Sequence, residues 1–136
     1  MPLSYTLNAT GDDIEISIDA ANREELFRDA VNASLEAAYG GKPEPGDLEG
    51  QVVPIQAVGN DDREMLSELV AECLTAVRGS ASVLQPPRWL AFDIGRVTAN
   101  LSSGNARAHP HAMSVQGGLE LSGTKARVIL AAAAAH

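Results

Sequence analysis

Cysteine, aromatic residues and long apolar runs are all scarce in this chain. Cys73 is its single cysteine, so no internal disulfide can form. One thiol and three histidines are also a thin supply of donors for zinc. Aromatic residues make up 4% of the sequence, which argues against an aromatic-lined ligand pocket and leaves alanine and valine to fill the core. No apolar run approaches the roughly 20 residues needed to span a bilayer. The stretch MPLSYTLN lacks the basic and apolar blocks of a secretion signal. A cytoplasmic protein that stays off membranes is expected. Nucleotide-binding glycine loops and a nucleophile-elbow serine are missing as well. Bases are outnumbered, 10 against 18 acids, for a net charge of −8. Such a chain repels phosphate backbones, so direct tight binding of nucleic acid is not expected, whereas a basic protein surface would attract it.

What the sequence does contain fits one domain over residues 1–136, with 45% hydrophobic residues to build a single core. Ile14, Ile16 and Ile18 alternate with Glu15, Ser17 and Asp19, the period of a half-buried strand. Asp13 shares the parity of Glu15 and Ser17 and should project from the polar face. Asn22 and Glu25 form a capping pair for a helix that ends at Gly40 and Gly41, with Leu26, Phe27, Ala30, Val31, Leu35 and Ala38 as its buried stripe. QVVPIQAV reads as a strand near a sheet edge, because Pro54 has no amide donor. Asp61 and Glu64 repeat the capping pair before a second helix, whose apolar stripe includes Cys73 and marks it as a core thiol. Further strands follow in RWLAFDIGRV, where Leu90, Phe92 and Ile94 alternate with Trp89, Ala91 and Asp93, and in the stretches after it. Ser103-Gly104-Asn105 and Gly117-Gly118 read as hairpin turns. Helices early and strands late predict an α+β fold, a largely antiparallel sheet packed with two α-helices.

Two groups of residues could carry chemistry. Asp12 and Asp13 stand at the mouth of the first alternating strand, where carboxylates and backbone carbonyls offer oxygen ligands to a hard divalent cation. Partner acids would have to come from a distance, with Glu15, Asp93 and Glu120 as candidates. The plain alternative is a pair of solvated turn acids. His109 and His111 in HPHAM share one strand face, a geometry for pinching a transition metal, passing a proton, or contacting a ligand or partner. Met113 and Val115 continue that face, so a semi-buried or interface surface is the plain alternative there.

The stretch from Tyr5 to Phe27, YTLNATGDDIEISIDAANREELF, resembles the start of archease. That family opens with an aromatic residue, then Asp-His-Thr-Ala-Asp-Ile, an alternating strand, and a helix beginning Glu-Glu-Leu-Phe. The spacing from Ile14 to the block Glu24-Glu25-Leu26-Phe27 agrees, which puts Asp13 on the motif's second Asp. The motif's first Asp falls on Ala9, and its His and Thr fall on Thr10 and Gly11. The family's late Lys-Ala-Val-Thr-Tyr-His corresponds to HAMSVQ, where Ala112 and Ser114 are compatible and His111, Val115 and Gln116 depart. Ala131 stands where the family's final strand carries a metal-binding Asp. The resemblance implies an antiparallel sheet with two helices and a cytoplasmic accessory role to an RtcB-type tRNA-splicing RNA ligase. There it would promote guanylylation and repeated turnover, with a divalent metal, calcium or manganese before zinc, held at Asp13 with help from Asp12.

The expected role is therefore that of an accessory protein and not an enzyme. The alternative is a metal-free module on the same scaffold, binding a protein or small ligand near His109 and His111. A metal-dependent hydrolase is a weaker third option, because the ligand inventory is thin.

Overall fold

The structure is a computed structural model that describes residues 5–11, 13–40, 52–80, 82–85, 90–107 and 113–132. Its elements run β1 (Tyr5–Thr10), β2 (Asp13–Asp19), α1 (Arg23–Tyr39), β3 (Val52–Val58), α2 (Asp62–Gly79), β4 (Ser82–Gln85), β5 (Leu90–Asp93), β6 (Arg96–Arg107), β7 (Met113–Ser122) and β8 (Lys125–Ala132). This is an α+β fold. The strands form two antiparallel sheets among the described residues, one ordered β1-β2-β8-β7 and the other β3-β6-β4, with β5 also pairing β6.

Both helices start where their caps require. The Asn22 side chain accepts from the Glu25 amide at 2.8 Å, and the Asp61 carboxylate accepts from the Glu64 amide at the same distance. Gly40 closes α1 in the left-handed region at φ 74°, its amide donating to the Glu36 carbonyl. Each helix turns its apolar stripe inward. α1 rests on β1 and β2, α2 rests on β3 and β7, and the helices pack on each other. Small residues fill much of the interior, as the lack of aromatics predicts. Ala30, Ala33, Ala38, Ala57 and Ala99 are all buried. Phe27 is fully buried and meets Phe92 edge-on, with ring centroids 5.3 Å apart.

Several expectations need correction. Tyr5–Thr10 is a strand that the mixed polar pattern does not advertise. Ser103-Gly104-Asn105 is no turn but runs inside β6, and Gly117-Gly118 lies inside β7, where the register to β8 shifts between Gln116 and Glu120. Ile94 does not continue the strand of Leu90 and Phe92, which ends at Asp93. It sits in the β5–β6 turn beside Gly95, whose φ is 69°. Of the face that Met113 and Val115 share, Met113 turns into the core at 3% exposed and Val115 is partly buried, which agrees with the semi-buried reading.

The second sheet meets α2 through a close approach at Gly59, just past β3. Its amide donates to the Gly95 carbonyl at 3.1 Å, and a Cβ added there would lie 2.7 Å from both the Glu64 Cβ and the Met65 amide nitrogen. Gly59→Ala should therefore push the α2 N-terminus outward and cost about 1–3 kcal/mol of stability, as overpacking usually does. Urea unfolding measures it, and an unchanged midpoint would mean that the helix start yields freely.

Candidate functional site

The polar row that begins at Asp13 crosses the first sheet. Asp13 pairs with Thr10 on β1 and with Ala131 on β8, and Ala131 pairs in turn with Ser114 on β7. Cross-strand partners of this kind lie about 4.5–5.5 Å apart. Positions 13 and 131, at opposite ends of the sequence, are thus direct neighbours. The half-exposed Asp13 lies on the outer face with Glu15 and Ser17, while Ile16 and Ile18 point to the core.

The acids that might have joined Asp13 are engaged elsewhere. Glu15 Oε2 accepts from Arg127 Nη2 at 2.9 Å, and the same guanidinium reaches Glu120 Oε2 at 4.0 Å. Arg127 therefore bridges β2, β8 and β7 as a fixed cation between two carboxylates. Its hydrogen bond and charge hold the Glu15 carboxyl below the usual glutamate range, with a smaller contribution from the Ser17 hydroxyl. Asp93 belongs to the other sheet, where the Ile94 amide and then Arg96 lower its pKa.

The sign of the Glu15 effect sets a pH window. A carboxyl whose pKa is depressed in the folded state adds stability above its unfolded pKa and loses it as pH falls through the folded value. Carbon NMR titration should show Glu15 with a midpoint below an ordinary glutamate, and Arg127→Ala should return it to that range. An ordinary midpoint in the unaltered protein would mean that the pair does not persist in solution.

Hard cations ask for several oxygen ligands with charge to match. Among the described residues, no three His, Cys, Asp or Glu side chains gather at a point. Asp13 faces an alanine methyl where a second carboxylate is needed. Asp12, His109 and His111 lie outside the described residues. Cys73 is fully buried, with Sγ 4.0 Å from the Val31 carbonyl, and burial pushes its thiol up to about 12. It is a core residue and not a nucleophile.

A second cluster went unnoticed in the sequence. Arg23 places its guanidinium 4.5 Å from the Phe92 ring centroid and 5.4 Å from that of Phe27, and its Nε lies 3.0 Å from both Asp62 carboxylate oxygens. The four-residue spacing of Arg23 and Phe27 on α1 was the one available signal. This cluster ties the starts of both helices to β5.

Comparison with known proteins gives a fold and no family. Neither a family model nor a curated protein matches the chain. Among solved structures, the solution structure of Methanobacterium thermoautotrophicum protein 1598, a structural genomics target, is similar with a TM-score of 0.65 at 17% identity. The likeness covers 94% of this chain and 98% of that one. No helix among the described residues is long and apolar enough to cross a membrane.

Proposed function

We propose that this chain is an archease-like accessory protein that promotes guanylylation and repeated turnover of an RtcB-type tRNA-splicing RNA ligase. One observation supports this most: the pairing of residue 13 with residue 131 across β2 and β8. The archease resemblance asks for metal-binding acids at these two positions, which lie far apart in sequence. The sheet register makes them neighbours. The chain would act by contact, as a cytoplasmic partner of an enzyme rather than as an enzyme. Its net charge of −8 favours docking on a basic, RNA-handling surface over touching RNA itself. Any divalent cation would be held through Asp13, with calcium or manganese preferred to zinc because the donors are oxygens.

Ala131 favours a second reading, a metal-free binding module on the same scaffold. An alanine in place of a ligand removes both a donor and a charge, so the site's affinity for a cation falls while the fold is untouched. Ligation assays with wild-type chain and Asp13→Ala separate the two. Stimulation lost in the variant supports an accessory role that runs through this row. Equal stimulation by both proteins would assign the action to contacts elsewhere, without a metal.

A further inference from the structure

Away from the Asp13 row, the start of α2 and its neighbours form a second surface. A cleft of about 370 Å³ opens there, lined by Val58, Arg63, Glu64, Ser67, Glu68 and Leu119. Its wall continues into an exposed apolar edge. Val58 is 61% exposed and Ile94 is 100% exposed, and these are two of the three large hydrophobic residues left out of the core among the described residues. Both are held firmly. Val58 pairs with Arg96, and the Gly59 amide donates to the Gly95 carbonyl, which brings the turn carrying Ile94 against the end of β3. Gly59 in turn is wedged against Glu64 and Met65 of α2. Neither Val58 nor Ile94 gains from burial within this chain, so both are available as apolar anchors for a partner.

Acids outnumber bases beside this edge. Glu64, Glu68 and Glu72 follow one another at four-residue spacing along α2, an arrangement that disfavours a helix on its own. Glu64 accepts from the Asn60 amide at 2.8 Å, and Glu68 and Glu72 have no ion pair among the described residues. The cleft's own cation, Arg63, donates from Nε to the Leu119 carbonyl at 2.9 Å and offsets only part of the charge of the three glutamates. Most of the other described bases sit against acids: Arg23 on Asp62, Arg28 on Glu24, Arg96 on Asp93, Lys125 near Asp19 and Arg127 on Glu15.

We infer that the cleft between Val58, α2 and Leu119, with Ile94 at its margin, docks a basic segment of a partner protein that carries apolar side chains between its lysines or arginines. The apolar side chains would seat against Val58, Ile94 and Leu119, and the cations would meet the Glu64–Glu68–Glu72 face. Complementary charge would speed encounter, and the apolar contacts would set residence. This surface uses neither Asp13 nor Ala131 and stands apart from the ligase proposal.

A peptide alternating lysine with leucine, set against its glutamate–leucine counterpart, is the probe, followed by amide NMR on the full chain. The lysine peptide should bind saturably, with the largest shifts at Val58, Ser67, Glu68, Ile94 and Leu119. Ile94→Ser and Glu68→Lys should each weaken it by about tenfold, with thermal unfolding unchanged because both side chains are exposed. Absence of saturable binding, shifts centred elsewhere, or full affinity in Ile94→Ser would overturn the proposal. So would a self-associated wild-type chain that Ile94→Ser makes monomeric in sedimentation, since the occupant would then be a second copy.

Discussion

Replacing Phe27 with alanine removes about 3–5 kcal/mol of folding free energy, the usual cost of truncating a buried aromatic. Phe27 is 0% exposed and lies on the first turns of α1, yet its ring meets Phe92 on β5 at an interplanar angle of 89°. It thus links the helix that covers the first sheet to a strand of the second. Arg23 stacks over both rings while binding Asp62 at the start of α2. Truncation leaves a cavity in a core whose many alanines cannot move in to fill it, and Arg23 loses one of its two ring faces. Domains of this size hold about 5–15 kcal/mol in total, so the variant should be close to its unfolding threshold. Guanidinium unfolding measures the loss, and a value under about 1 kcal/mol would mean that α1 is anchored by other contacts.

The second large effect is a gain. Ala131→Asp should raise affinity for calcium or manganese by at least about tenfold, because ligand number and charge set affinity at hard-cation sites. The new carboxylate would stand directly opposite Asp13 on an outer sheet face where residue 131 is half-exposed, so the fold can accept it. The gain should vanish when Asp13→Ala is added. Calorimetry on metal-stripped protein reads it. No gain in the single variant would mean that position 131 is not where this scaffold lacks a ligand.

Local signals in the sequence were legible, and non-local ones were not. Asn22 with Glu25 and Asp61 with Glu64 marked both helix starts, because a cap acts on amides two or three residues away. Cys73 and the alanines fell on the buried stripes as their spacing implied. β1 was missed because Tyr5–Thr10 is held by its pairing with β2 and not by its own alternation. Gly117 and Gly118 looked like a turn, but glycine serves equally at an irregularity, and the β7–β8 register shifts across them. Ile94 continues the alternation of Leu90 and Phe92 in the sequence, although Gly95 beside it takes the left-handed conformation that ends the strand.

The candidate site divides in the same way. Asp13 could be assigned to the polar face from parity alone. Its partners could not, because Ala131 and Ser114 come beside it only through the register of three strands. Nor could the engagement of Glu15 and Glu120 by Arg127 be foreseen, since that contact spans β2, β8 and β7. The same register supports the proposed archease-like role and locates the alanine that would weaken any metal site there.

The most direct test is ligation of tRNA halves by an RtcB-type ligase, scored as product per ligase molecule over many turnovers, with and without this chain. An accessory role predicts that the ligase alone stalls early and that adding the chain sustains product formation. The same yield and the same level of guanylylated ligase in both reactions would contradict it.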